Sequence, residues 1–309
     1  MITLHWVYAL TGAFFAAVSL LSLRDASNAK RWGNAIFWGL LALSMWGGDS
    51  LGDFGNGLLV IALTVIAGTG QLGRGIAPPS TPPSTPASAG RLFGIALIIP
   101  VTALIGTFVF KAFPTLVEAK QATLIALGVG TILALVTGLG VMRARPAHAL
   151  QEGRRLLDSV GWAAILPQML ASLGAVFAVA GVGGVVGDMM RTLIPSGSLL
   201  AAVIAYGLGM ALFTMIMGNA FAAFPVMMAA IGMPLLITQY QGNAAVVAAI
   251  GMLAGFCGTL MTPMAANFNL VPAALLELQD RYGVVRRQVA TALPLLVINI
   301  GFIYIFAFR

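Results

Sequence analysis

The amino-acid sequence predicts an all-α integral membrane protein with about eight spanning helices, one re-entrant helical hairpin and one broken helix. Three observations carry this prediction. The 309 residues are 60% hydrophobic and only 8% charged, whereas a soluble domain carries about 25% charged residues. Apolar runs close to the roughly 20 residues that a membrane-crossing helix needs recur along the chain. A long uncharged region is interrupted by Pro, Gly and Asn, where a smooth spanning helix would carry Leu and Val.

The first part of the chain contains the regular apolar runs, and we assign residues 1–191 to a scaffold of transmembrane helices. Its first 23 residues have no basic start and no cleavage site of small residues, so we expect a retained helix and not a signal peptide. The stretch 73–91, rich in Pro, Ser and Thr, is predicted to be a flexible cytoplasmic loop. The predicted spanning helices are Leu4–Leu23, Asn34–Gly47, Gly57–Leu72, Leu92–Phe110, Gln121–Met142 and Ser159–Val182.

The second part of the chain is predicted to be a transport unit, residues 192–309. No Asp, Glu, Lys, Arg or His occurs in residues 192–276. Within this region the pair Gly218 and Asn219 can form a tight turn, so we expect a helical hairpin over residues 198–238 with its tip at that pair.

A broken helix is predicted to follow the hairpin, over residues 244–278. Pro263 lacks an N–H group and clashes with the preceding turn, which should unwind the helix around residues 261–267. A last helix is expected from Gln288 to Phe308.

The loop charges predict the topology, because cytoplasmic loops carry an excess of Lys and Arg. Positive loops all fall on one side if the hairpin 198–238 enters and leaves the membrane from the outer side. The hairpin is then re-entrant, and both termini lie outside. The net charge of +7 is spread over these short loops, so we expect the lipid bilayer and no nucleic acid as a partner. The basic residues that define the cytoplasmic side are Arg24, Lys30, Arg31, Arg74, Arg91, Arg143, Arg145, Arg154, Arg155, Arg281, Arg286 and Arg287.

The two interruptions of the uncharged region predict a binding site. Non-helical backbone persists in hydrocarbon only where protein buries it or where it lines a wet cavity. A half-helix start offers free N–H groups to a carboxylate, and a half-helix end offers free carbonyls to Na⁺. The alternative is that these residues only hold helices together. The candidate substrate- or ion-binding residues are Thr214, Gly218, Asn219, Ala220, Thr259, Thr262, Pro263, Asn267 and Asn269.

An enzyme is not expected. The chain has only His5, His148 and Cys257 as histidines and cysteine, and they are widely separated in sequence. We therefore predict no catalytic residues, no metal site and no cofactor, apart from Na⁺ as a coupling ion. A membrane-embedded enzyme and a structural subunit of a membrane complex stay as the alternative functions.

Two sequence stretches resemble the ion-transporter superfamily. "TMIMGNAFAAFPVMM" is similar to the re-entrant hairpin of that superfamily, with Asn219 at the Asn of a Ser-Asn-Thr-like tip and with Gly218 and Ala220 replacing the hydroxyl residues. "GTLMTPMAANFNLV" is similar to its Gly-rich, Thr-Pro-containing broken helix, and the matching residues are Gly258, Thr262, Pro263 and Asn267.

The whole chain also resembles the bacterial membrane family catalogued as domain of unknown function 979, one subunit of a proposed 5-oxoproline transporter. This resemblance implies symport of a small organic anion, a 5-oxoproline-like carboxylate, with Na⁺ or H⁺ across a bacterial inner membrane. Superfamily members contain two inverted repeats, and this chain carries one hairpin and one broken helix. It would therefore be half of an elevator-type transporter, a heteromer whose second membrane subunit brings the inverted repeat.

Overall fold

The computed structural model describes residues 3–75, 89–113, 115–118, 120–195, 197–266, 268–276, 278–280 and 282–309. Helices make up 82% of the structure, and the described part contains no β-strand. Eight of the described helices are long and apolar enough to cross a membrane, which indicates a multi-pass membrane protein. Most of the predicted loop 73–91 lies outside the described residues.

The backbone contacts divide the chain into two compact units, Met1–Gly161 and Trp162–Arg309. The division into a scaffold, residues 1–191, and a transport unit, residues 192–309, stays a prediction. The helices of the first unit are α1 (Leu4–Arg24), α2 (Arg31–Gly68), α3 (Ala89–Ala112), α4 (Ala122–Met142) and α5 (Pro146–Val160). Those of the second unit are α6 (Leu166–Val179), α7 (Val182–Leu193), α8 (Leu199–Met217), α9 (Ala220–Met227), α10 (Ala244–Leu260), α11 (Leu270–Leu275) and α12 (Gly283–Phe306).

The two helices predicted after α1 form a single 38-residue element, α2, which is interrupted at Gly52. Gly52 has φ 63° and ψ −178°, a conformation that glycine adopts without steric cost. The chain folds back there. Near the start of α2, the Asn34 side chain donates to the carbonyl oxygen of Gly73 (2.8 Å) and accepts from its N–H group (2.9 Å). Since Gly73 follows the end of α2, the helix consists of two arms that return to the same end.

The stretch between α4 and the next predicted span is a helix and not the loop that we expected. Pro146 begins α5, where its missing N–H group costs nothing and its fixed φ favours helix. Glu152 and Arg155 pair at 2.8 Å one turn apart. The predicted span Ser159–Val182 is accordingly divided. A 3₁₀ turn, Gly161–Ile165, separates α5 from α6.

Partly buried charged side chains hold α5 within the first unit. Arg154 of α5 donates to the Asp25 carboxylate at 2.6 Å. Asp158 accepts hydrogen bonds from Asn34 (2.8 Å) and Trp38 (3.3 Å) of α2. Burial raises the pKa of Asp25, but the hydrogen bonds and charge of Arg154, with the bonds from Ser27, outweigh it and leave the pKa below its ordinary value. Asp25 is therefore ionised at neutral pH.

The predicted hairpin 198–238 is present as two helical arms. The first arm is α8, and the second is α9 continued by a π-helix, Met228–Gln239. The π-helix contains Pro234, which has no N–H group to donate to the regular α-helical ladder. The first arm has 19 residues, or about 28 Å of α-helix, and the second has 20. The second arm is somewhat shorter than 20 residues of α-helix, because a π-helix is wider and rises less per residue. Because the length of the first arm matches a hydrocarbon core of about 30 Å, re-entry without crossing stays a prediction.

The stretch predicted to be a broken helix, residues 244–278, contains two helices. Its first half is α10, its second half is the single short helix α11, and the described residues between Met261 and Asn269 are non-helical. Both α10 and α12 pack on α8 around a core that includes Tyr206, Met210 and Leu296.

Close contact between α8 and α10 should be the most sensitive packing feature of the second unit. A Cβ atom on Gly258 would overlap the backbone of Ala211, whereas a Cβ atom on Gly301 of α12 would meet open space. Gly258→Ala should therefore destabilise the protein by about 1–3 kcal/mol, as overpacked cores do. Gly301→Ala, the matched control, should be neutral or stabilising by up to about 1 kcal/mol. Denaturation of both variants in detergent measures the difference, and equal stabilities would contradict the packing.

Candidate functional site

The packing of α8 on α10 brings the two predicted interruptions together. Along the pair, Gly251 lies against Tyr206 and Gly258 lies against Ala211. Residue numbers thus increase together on both helices, so α8 and α10 run parallel and end at the same level. At that level the hairpin tip meets the break, and a Cβ atom on Gly218 would lie 2.6 Å from the carbonyl oxygen of Met264.

Gly218 is required at this contact for two reasons. Its φ of 75° is in the left-handed region, which glycine occupies at little cost. The backbone of the break also approaches Gly218 so closely that no side chain would fit there. Its N–H group donates to the Thr214 carbonyl at 2.7 Å and closes the end of α8, as a glycine commonly does at a helix C-terminus.

Thr262 connects the break to the hairpin directly. Its hydroxyl donates to the carbonyl oxygen of Met215 at 2.9 Å and accepts from the N–H group of Met264 at 3.2 Å. The Met215 carbonyl belongs to the last turn of α8, where no following helical N–H group is present to bind it. Thr262 is buried, while Pro263 and Met264 beside it are exposed.

Asn269 holds the two sides of the break together. Its side-chain NH₂ group donates to the carbonyl oxygens of Thr259 (2.9 Å) and Thr262 (2.6 Å). Both donor hydrogens are thereby used, and the side chain is fully buried. Its Oδ1 atom has no hydrogen-bond partner among the described residues, so it remains as a buried acceptor next to the break.

A second unused oxygen is the hydroxyl of Thr214. It is fully buried and has no hydrogen-bond partner in the described part of the chain. It lies 3.3 Å from the position that a Cβ atom on Gly255 would take. Thr259, by contrast, is satisfied within its own helix, because its hydroxyl donates to the Phe256 carbonyl at 2.6 Å.

Asn219 begins α9. Its Oδ1 atom accepts from the N–H group of Phe221 at 2.7 Å, which is the bond that an N-cap residue makes. Ala220 follows in a buried position, and its Cβ atom would lie 3.1 Å from a Cβ atom on Gly255. The small residues around the tip therefore allow three helices to meet. Asn267 lies outside the described residues.

Three phenylalanines beside the site were missed in the sequence. The ring of Phe256 contacts Phe221 at 5.8 Å and Phe268 at 6.2 Å between centroids. Phe221 is 59% exposed and Phe268 is 43% exposed. One signal could have indicated Phe221 and Phe268, since each interruption carries a Phe one or two residues after its Asn. Phe256 has no such signal.

The site as a whole is polar but uncharged. It combines free acceptor oxygens on Thr214 and Asn269 with the dipole of α9 at Asn219. Among the described residues, no group of three His, Cys, Asp or Glu side chains could hold a metal ion. The chemistry offered is therefore neutral hydrogen bonding and oxygen coordination.

Asn269 should contribute more to stability than an ordinary helix cap. Asn269→Ala removes two hydrogen bonds and leaves two buried carbonyls unpaired, each at a cost of about 1–3 kcal/mol. Asn243→Ala also removes two bonds, to Ala245 and Val246, but at an exposed cap worth about 1 kcal/mol. Thermal denaturation in detergent should show the larger loss for Asn269→Ala. A loss no greater than that of the Asn243 control would contradict the role assigned to Asn269.

Comparison with known proteins identifies the family. No curated protein and no solved structure is significantly similar to the chain. A family model described as a protein of unknown function, DUF979, matches residues 5–308, which is nearly the whole chain. The chain therefore belongs to the DUF979 family of proteins of unknown function.

Proposed function

We propose that this chain is one subunit of a two-component secondary transporter, which moves a small organic anion together with Na⁺ or H⁺. The observation that carries the proposal is the contact of the hairpin tip at Gly218 with the helix break at Met264. Transporters repeatedly place substrate and ion sites where discontinuous helices meet near the middle of the membrane.

The anion fits the start of α9. Free N–H groups at a helix N-terminus and the positive end of the dipole favour a carboxylate. Asn219 would add an amide NH₂ group, because only its oxygen is used in the cap. A substrate with one carboxylate and one neutral amide, such as 5-oxoproline, matches a site that has amides and hydroxyls but no fixed charge.

The coupling ion is proposed to be Na⁺ in preference to H⁺. Na⁺ coordinates oxygen atoms, and Thr214 and Asn269 each present a buried oxygen without a hydrogen-bond partner among the described residues. Proton coupling would need a titratable side chain, and residues 192–276 contain no Asp, Glu, Lys, Arg or His. H⁺ would become the better choice if the second subunit supplied a carboxylate.

The second subunit is proposed because residues at the helix break are exposed. Pro263 and Met264 are exposed beside the non-helical backbone, as are Phe221 and Phe268. Unpaired backbone groups cost several kcal/mol each in hydrocarbon, so another chain should cover this surface. A copy of the same chain would have the same orientation, because its basic loops fix it. An inverted hairpin and broken helix must therefore come from a different protein.

The alternative of a structural subunit has one observation in its favour. Thr262 and Asn269 bond to backbone carbonyls within the chain, as residues that only hold helices together would do. A membrane-embedded enzyme is favoured by no described feature, and we propose no catalytic residues.

Transport should require both subunits. Cells that express this chain alone, its second subunit alone, or both together can be compared for uptake of labelled 5-oxoproline. We expect accumulation only in cells that contain both, since one hairpin and one broken helix form one side of a site. Accumulation by the purified chain reconstituted alone would contradict the two-component proposal, and accumulation with the second subunit alone would favour the structural role.

Asn219 should bind substrate as well as cap α9. Asn219→Asp keeps the capping oxygen, so the helix should form normally, but the added charge would repel an anion. We expect expression close to wild type with uptake reduced at least about a hundredfold, the effect of several kcal/mol of repulsion in a low-dielectric site.

The matched control is Asn243→Asp, which makes the same change at the cap of α10. This variant should retain uptake within about twofold, because its added charge is exposed and screened. Equal uptake by the two variants would contradict substrate binding at Asn219.

A further inference from the structure

The hairpin of α3 and α4 in the first unit is tightly packed at one end. A Cβ atom on Gly106 would lie 2.7 Å from the Cβ atom of Ala126, and one on Gly130 would lie 3.0 Å from the Ile99 carbonyl oxygen. The hydroxyls of Thr107 and Thr123 are hydrogen-bonded at 3.1 Å. Small residues at the contact let the two backbones approach closely.

The same hairpin opens at its other end. Gly94 of α3 and Gly140 of α4 each have open space where a Cβ atom would be. A groove of about 660 Å³ lies between the helices there. It is lined by Arg91, Gly94, Ile95, Ile98, Thr137, Gly140, Val141 and Arg143.

Two arginines at the mouth of this groove have no carboxylate partner in the described part of the chain. The helices are antiparallel, and Ile95 packs near Gly138, so Arg91 and Arg143 lie at the same end of the hairpin. Both side chains are exposed, and neither forms an ion pair with a carboxylate of the described residues. Two positive charges that line one groove repel each other, and a bound anion would remove that repulsion.

We infer that this groove binds an anionic phospholipid, with the phosphate between Arg91 and Arg143 and an acyl chain along Ile95, Ile98 and Val141. The groove is charged at its mouth and apolar beyond it, which matches the charged headgroup and the apolar chain of a lipid. The mouth lies at the ends of two spanning helices, where headgroups are located. Basic pockets between transmembrane helices on the cytoplasmic side are known to bind anionic headgroups. A soluble phosphate would contact the two arginines but not the apolar residues of the groove.

The site can be tested by native mass spectrometry of the purified protein in detergent, titrated with phosphatidylglycerol or with phosphatidylcholine. We expect phosphatidylglycerol to bind more tightly, and the double variant Arg91→Gln/Arg143→Gln to weaken that binding roughly tenfold or more. The control double variant Arg24→Gln/Arg287→Gln removes the same charge from two other exposed helix ends and should bind as the wild type does. Equal affinity for the two lipids, or equal loss in both double variants, would overturn the assignment.

A second variant tests the groove without changing charge. Gly140→Leu keeps both arginines and favours helix, but its side chain would fill the open space between α3 and α4. We expect it to weaken phosphatidylglycerol binding by a similar factor while leaving the thermal stability in detergent unchanged. Glycerol 1-phosphate, which has the headgroup without acyl chains, should not displace the lipid at millimolar concentration. Binding unaffected by Gly140→Leu, or displacement by glycerol 1-phosphate, would show a free-phosphate site and contradict a lipid groove.

Discussion

The close parallel packing of α8 on α10 is the constraint on which the second unit depends. Glycines at Gly251, Gly255 and Gly258 let the α10 backbone approach side chains and backbone of α8. Because the two helices run parallel, their ends coincide, and each interruption can satisfy polar groups of the other. The bond from Thr262 to the Met215 carbonyl shows this exchange. Without the glycine contact, each break would have to be satisfied separately in an apolar environment.

The sequence predicted those features that depend on local chemistry. Pro263 cannot continue a helix, and Gly218 with Asn219 favours a turn. The structure has Pro263 between α10 and α11, and Gly218 at the end of α8 with a left-handed φ. The partners of the polar side chains could not be predicted. Asn269 bonds to Thr259 and Thr262 carbonyls because of the way the chain returns on itself, and residue spacing does not encode that path. The sequence predicts one site formed by the two interruptions. It does not predict which oxygen atoms are left without a hydrogen bond, because that depends on how the helices pack.

Other differences have physical reasons as well. Residues 143–158, between two predicted spans, are polar and are predicted to be a loop, yet α5 forms there because its charges pair within the helix and with Asp25. The π-helix Met228–Gln239 could not be predicted from this apolar sequence, since Pro234 alone is compatible with a simple kink.

Charged and neutral polar groups are distributed differently over the two units. The first contains the partly buried ion pairs of Arg154, whereas the hairpin and break of the second use only neutral groups.

The central claim is that the junction of tip and break is a wet binding site and not a lipid-facing seam. The most direct measurement is thiol labelling of Met264→Cys in a Cys257→Ser background, with the second subunit present and a membrane-impermeant reagent. Val297→Cys, on an exposed surface of α12, is the control, since Met264 and Val297 are similarly exposed at 62% and 69%. A transport site predicts rapid labelling at position 264, slowed by 5-oxoproline with Na⁺, and little labelling at position 297. Equal reactivity at the two positions, or no effect of the ligands, would contradict it.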